Sequence, residues 1–306
     1  VKVAALAGGV GGSKLLVGLD KKVVSGELTA IVNTGDDAVI YGVHVSPDVD
    51  IVSYWLSGLN DRERGWGLKG DTFETIDALA TFGIDTWFRL GDRDLATCLY
   101  RTQQLRAGAT LSSVTDDIRL ALGIATRIIP MSDDEVPTRI VTEDGRTLEF
   151  QDYFVKEQHK PAVKEVRFSG MADAKPAPGV LDAIRRSDRV ILCPSNPVVS
   201  IGPILALPEV RETLEAHPSV VAVTPIVRGA PLKGPADRLL PTVGAAVSAV
   251  GVAGLYKDFC DVFVVDERDA EEVPSIEELG LQAVTMDTVM RDQNDSEGLA
   301  ERLLEL

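Results

Sequence analysis

The feature that most narrows the fold is an apolar run of strand length that ends on glycines. Lys2–Ala7 leads into Gly8-Gly9-Val10-Gly11-Gly12, and helical character follows over Ser13–Leu19. A strand apolar on both faces must be covered on both, and helices crossing between parallel neighbours achieve this. The pattern recurs. Leu28–Asn33 is a second strand, with Gly35-Asp36-Asp37 at its carboxyl end, and Asp71–Phe82 has helical spacing. Arg189–Cys193 and Val220–Thr224 are further all-apolar strands, each running into a loop rich in Pro, Ser or Gly. Val262–Asp266 is a late strand, and Glu297–Leu306 a closing helix. The chain therefore reads as α/β, a Rossmann-like parallel sheet with helices on both faces. Between these elements, Thr138–Thr142 and Arg146–Phe150 flank Glu143-Asp144-Gly145, a hairpin signal. This places a smaller inserted α+β lobe over residues 110–170, on a Rossmann-like core made of 1–109 and 171–306.

Composition excludes several classes. No apolar run approaches the roughly 18–20 residues that span a bilayer. The first apolar run is cut by glycines too early for a secretory signal. A net charge of −16 argues against duplex nucleic acid as a partner, which demands a basic footprint. It also means that a phosphate-bearing ligand must be held by local devices: backbone amides, a helix terminus, a few placed cations and a metal. Cys98, Cys193 and Cys260 match no metal spacing, and so sparse an odd count fits a reducing, cytoplasmic setting.

In an open parallel sheet, ligands lie outside the carboxyl ends of the strands, and the unusual loops of this chain sit there. Gly8–Gly12 with Lys14 lets backbone amides approach a phosphate at a helix start, although it is neither a Walker sequence nor a clear dinucleotide fingerprint. Asn33-Thr34-Gly35-Asp36-Asp37 and Ser46-Pro47-Asp48-Val49-Asp50 together supply four carboxylates. Asp48 and Asp50 face one side if their segment is extended, and carboxylates that converge call for a cation between them. Mg²⁺, which takes one or two carboxylates plus phosphate oxygens, suits such a set. In Arg89-Leu90-Gly91-Asp92-Arg93-Asp94, the acids either cap the following helix, which contains Arg101, or brace an arginine anion clamp. Cys193-Pro194-Ser195-Asn196-Pro197 with Ser200 and Gly202 presents amides and a hydroxyl to a phosphate or base. Lys233-Gly234-Pro235 joins a cation to a turn, and Met131-Ser132-Asp133-Asp134 reads equally well as a plain turn. His44, His159 and His217 are scattered and read as surface or packing residues. With no serine elbow and no histidine base, direct displacement at phosphorus, assisted by metal and arginine, is the chemistry left.

In order along nearly the whole chain, these stretches resemble the 2-phospho-L-lactate transferase family of coenzyme F-420 biosynthesis. The run Pro194-Ser195-Asn196-Pro197 with Ser200-Ile201-Gly202-Pro203, and the pairing of Ser46–Asp50 with Gly91–Thr97, carry the resemblance; Arg64-Gly65-Trp66-Gly67 and Asp261–Asp269 extend it. Cys98 stands where many relatives are expected to have His. The resemblance implies a transferase acting on a guanosine diphosphate ester of lactate or a similar three-carbon acid. The terminal ribityl hydroxyl of the deazaflavin Fo attacks, the phospho-acid passes to Fo, and GMP leaves. It further implies that Gly9, Val10, Gly11, Gly12, Lys14, Ser195, Asn196 and Gly202 face the donor. Asp50, Arg89, Asp92 and Arg93 would contact Fo, while Asp37, Asp48 and Asp50 do the catalytic work. Asp37 and Asp48 would hold Mg²⁺ or orient the hydroxyl, and a homodimer is expected. Two other readings compete: a nucleotide-sugar-binding regulatory protein of the same superfamily, and an NAD(P)-dependent oxidoreductase with Asp36 reading a ribose.

Overall fold

A computed structural model describes residues Val1–Leu306. Seven parallel strands form the central sheet: β1 (Val3–Ala7), β2 (Leu28–Val32), β3 (Arg127–Pro130), β4 (Arg189–Leu192), β5 (Val220–Val223), β6 (Val262–Asp266) and β7 (Gln282–Met286). Their order across the sheet is β7-β6-β5-β4-β1-β2-β3. Strand order reverses beside β1, where Val3 pairs with Leu28 on one side and Arg189 on the other. Loops leaving β1 and β4 therefore diverge to opposite faces and open a crevice at their carboxyl ends.

Alternation along each strand feeds two apolar layers. Leu6, Ile31, Leu192 and Phe263 point into one, and Ala5, Ala30, Ile191 and Val264 into the other. Both layers are fully buried, as two-sided apolar strands require. The first helix, α1 (Gly9–Lys22), packs on the second layer together with the C-terminal helix Gln293–Glu305. Their approach is close enough that a Cβ on Gly18 would overlap the Ser296 carbonyl. No helix is long and apolar enough to cross a membrane.

Four further helices frame the crevice or its flank: α2 (Pro47–Leu56), α3 (Glu74–Thr81), α4 (Asp92–Arg106) and α5 (Leu111–Ala121). Two sequence expectations change here. The antiparallel insertion exists, as a three-stranded sheet of Thr138–Thr142, Thr147–Glu149 and Val163–Phe168. However, its expected start at residue 110 is too early. Arg127–Pro130 pairs in parallel with β2 as the edge of the main sheet, and α5 packs on that strand. The second change concerns Ser46–Asp50. Proline at the first helical position, after Ser46, starts α2, so Asp48 and Asp50 lie on a helix and not on an extended segment.

Candidate active site

The crevice beside β1 gathers the glycine loop, the Pro194–Asn196 loop, the turn after β2 and the first turn of α2. Each glycine in the loop does specific work. Gly9 adopts a φ of +63°, a left-handed conformation that suits glycine, at the first position of α1. A Cβ on Gly11 would overlap the Pro194 carbonyl, and one on Gly8 would overlap the Asp48 carboxylate. The helix has no side-chain cap. Only the Gly9 amide is taken, by Asp48 Oδ1 at 2.7 Å, and the amides of Val10, Gly11 and Gly12 meet no side-chain acceptor. Uncapped first-turn amides at the positive end of a helix form an anion seat.

Ser195 seals the other wall. Its hydroxyl donates to the Gly8 carbonyl at 2.7 Å and accepts from the Gly8 amide at 3.0 Å. Asn196 Oδ1 caps the turn by accepting from the Val198 amide at 2.9 Å, which leaves Nδ2 buried and without a partner. That donor is available to a ligand. Gly202 serves packing instead, against the Pro197 carbonyl and the Phe168 ring of the inserted sheet. Lys14 also departs from its expected role: its Nζ donates to the Met290 carbonyl at 2.6 Å. Burial holds the Lys14 amine below the usual lysine range, with Lys233 adding to the shift and Asp295 opposing it.

Asp36 and Asp48, both buried, and the nearly buried Asp37 line the floor. Asp48 Oδ2 accepts from Asn33 Nδ2 at 2.9 Å, and the same amide reaches Asp36 Oδ1 at 3.3 Å. Asp37 Oδ2 accepts from Ser46 Oγ at 2.7 Å and lies 2.9 Å from His44 Nε2, whereas Asp37 Oδ1 is buried with no partner at all. Burial pushes all three above the usual carboxylate range, Asp48 to about 6. For Asp36, the neighbouring carboxylates add to the shift; for Asp37, His44 opposes it. Hard oxygen donors crowded in a site without a balancing cation favour a divalent ion or a proton. Because both oxygens of Asp48 are already engaged, Asp37 offers the free ligand atom. This set fits a Mg²⁺ completed by phosphate oxygens rather than one caged by protein. Asp36 is bonded inward to Asn33 and Gln151.

Asp50 leaves this group. It points away from Asp48 and is held in a buried fork by both terminal nitrogens of Arg101 on α4. Asp50, Asp94 and Cys98 form the one trio of potential ligands near enough to share an ion, but the Arg101 guanidinium already balances charge there. Asp94 accepts from the Tyr54 hydroxyl at 2.7 Å, and burial, assisted by Asp50, raises its carboxyl to about 7. The remaining expected acceptor contacts lie at the outer rim. Arg89 stacks over Phe73 and pairs with Asp77. Arg93 is exposed, with Nη1 3.3 Å from the Lys69 carbonyl. Asp92 caps α3, accepting from the Glu74 and Thr75 amides, while Asp71 caps α4 through the Arg93 and Asp94 amides. The expected cap of the following helix is therefore supplied by Asp71, outside the motif, while Asp92 caps the preceding helix.

Sequence reasoning missed His44, expected as a packing residue, which instead orients Asp37. It also passed over Arg101 as a site residue, because its partner Asp50 is 51 positions away. Ser46 and Thr138 carried only the weak signal of hydroxyls near an acidic turn; Thr138, from the inserted sheet, abuts Gly35 and has an unpaired buried hydroxyl. A polar concavity at the amino-terminal ends of the strands, lined by Lys2, Glu27, Arg127 and Arg186, gathers none of these groups.

Known proteins resemble this chain over almost its whole length. The model of the family described as "2-phospho-L-lactate transferase CofD" matches residues 3–304. A 2-phospho-L-lactate transferase of Methanosarcina mazei is 43% identical over 295 residues, covering 96% of this chain and 97% of that one. A phosphoenolpyruvate transferase of Streptomyces griseus subsp. griseus is 41% identical, covering 100% and 98%. Among solved structures, protein BH3568 of Bacillus halodurans shares the fold, with a TM-score of 0.66 at 19% identity over 99% of both chains. The chain belongs to the 2-phospho-L-lactate transferase family and is an enzyme of the transferase class.

Proposed function

We propose that the protein moves a phospho-three-carbon-acid group from a guanosine diphosphate ester to the terminal ribityl hydroxyl of Fo, giving an F-420 precursor and GMP. The hydroxyl oxygen forms a bond to the phosphorus bearing the acid. The bond from that phosphorus to the oxygen bridging it to GMP breaks, and GMP leaves with the electron pair. The observation that carries this reading is Asp37 Oδ1, a buried carboxylate oxygen without a partner, beside an uncapped glycine turn. Free amides of Val10, Gly11 and Gly12, with Asn196 Nδ2, seat the donor's phosphates. Their fixed dipoles favour the charge that grows on phosphate oxygens during transfer. Bound Mg²⁺, held by Asp37 with Asp48 beside it, would supply further neutralisation of that charge. Asp48, with a carboxyl near 6, is suited to receive the hydroxyl proton at neutral pH. Arg89 and Arg93 at the rim would meet the acceptor directly, and Asp50, buried on Arg101, would back that side.

The acid on the donor follows from no residue described above. Relatives named for phospholactate and for phosphoenolpyruvate stand at nearly equal identity. Incubation with Fo, Mg²⁺ and, in turn, guanylylated lactate, enolpyruvate and glycerate, read by product mass, is the test. One donor is expected to yield the Fo adduct with stoichiometric GMP; no adduct from any of the three overturns the reading. A two-fold homodimer belongs to the same proposal. A purely monomeric mass by light scattering would remove that part.

A further inference from the structure

Arg101 lies entirely inside the protein, where its guanidinium meets both Asp50 and the backbone of His44. Its Nη1 reaches Asp50 Oδ2 at 3.1 Å and the His44 carbonyl at 3.2 Å, and its Nη2 closes the fork on Asp50 Oδ1. The next residue, Thr102, accepts from the His44 amide at 2.7 Å. One turn of α4 therefore grips both backbone groups of His44, whose imidazole lies 2.9 Å from Asp37 Oδ2. Because His44 and Ser46 occupy Oδ2, Oδ1 is left buried and without a partner. Arg101 Nε is buried without a partner, so the guanidinium is placed for these two terminal contacts at the expense of a third.

We infer that Arg101 is a positioning residue that fixes Asp37, through His44, relative to Asp50, and so sets the cation seat against the acceptor side. This rests on the functional reading above. A planar fork is required: lysine offers one compact charge, which can meet Asp50 but cannot also hold the His44 carbonyl in the same geometry. Arg101 orders the cation seat and leaves the donor's phosphate seat, formed by α1 and the Pro194–Asn196 loop, untouched.

The test compares Arg101→Lys with the parent and with His44→Gln and the double variant. Mg²⁺ is titrated calorimetrically in the presence of GDP, without turnover, and kcat and donor KM are measured separately. Arg101→Lys is expected to weaken Mg²⁺ by about 10-fold and to lower kcat by about 10- to 100-fold, with donor KM within about 3-fold. His44→Gln weakens Mg²⁺ comparably, and the double variant adds little, because both act through Asp37. Mg²⁺ affinity within about 2-fold of the parent in Arg101→Lys, or independent multiplying effects in the double variant, overturns the inference, as does a parent that binds no Mg²⁺. Arg101→Met, which is expected to fold poorly, is not needed. Failure of every donor in the product assay would instead sink the functional reading while leaving this titration interpretable.

Discussion

Asp48 and Asp50 are two positions apart and lead different lives because the segment that carries them is helical. At about 100° per residue, two steps rotate a side chain to the far side of α2. Asp48 thus joins Asn33 and Gly9 in the crevice, and Asp50 meets Arg101 in the interior. This alters what substitution does. Asp50→Asn strands a buried guanidinium, and loss of one partner from such a pair costs about 3–5 kcal/mol. We therefore expect a large fall in turnover together with a clear drop in the urea midpoint; an unchanged midpoint would show that Arg101 finds another partner. Asp94 makes the opposite kind of prediction. Its carboxyl titrates near 7 in the folded protein against an ordinary value of 3.8, so the folded state holds the proton more tightly than the unfolded state. Stability from this group is then greatest below pH 4 and declines as pH rises from about 4 to about 7. Asp94→Asn should flatten the fall in urea midpoint between pH 5 and pH 8, and an identical slope in the variant would count against Asp94 as its source.

At the scale of elements, the start of α4 is held by exchange. Asp71 caps α4 and Asp92 caps α3, so each helix start borrows a carboxylate from the segment leading into the other. The Thr72 and Thr75 contacts hold Asp92 below the usual carboxylate range, and its contribution is present at neutral pH and lost on strong acidification. Asp92→Ala is accordingly expected to lower the thermal midpoint by a few degrees while leaving the KM for Fo nearly unchanged; a selective rise in that KM would return Asp92 to the acceptor site. The contact of α1 with the C-terminal helix offers a parallel case. Gly18→Ala should destabilise by about 1–3 kcal/mol through overpacking against Ser296, with donor KM unaffected. A variant as stable as the parent would show that the two helices can move apart. These elements also mark how far the sequence could be read. Strands β1, β2, β4, β5 and β6 were legible because each is a short apolar run ended by a local breaker. Arg127–Pro130 was not, because it stands next to a true hairpin insertion and was absorbed into it. The glycine turn, Asp37, Asp48 and the Ser195–Asn196 loop stood out as candidates by local chemistry at strand ends, and the fold brings them to one place. Arg101, His44 and the caps depend on partners brought together only by folding.

For the molecule as a whole, a net charge of −16 surrounds a crevice whose floor is itself acidic. The proposed donor is a polyanion, and what would welcome it is short-ranged: neutral amide dipoles, an amide side chain and the proposed divalent cation. The far field and the near site therefore act in opposite directions on its arrival. At about 10 mM ionic strength the screening length is about 30 Å, so the entire negative surface repels the approaching donor; at about 150 mM it is about 8 Å, and the repulsion is confined. The near contacts change little over that range because they lie within a few ångströms and are partly withdrawn from solvent. Where a basic protein loses affinity for a phosphate ligand as salt is added, this one should gain: with Mg²⁺ held saturating, kcat/KM for the donor is expected to rise by about 3-fold or more between those two salt levels, chiefly through faster association. The acceptor Fo, with no phosphate, should respond far less. Steady-state rates across a salt series at fixed free Mg²⁺ separate the two. A donor kcat/KM that falls steadily with salt would mean that a patch of free cations, such as Lys14 with Lys233, outweighs the acidic surface in steering the donor.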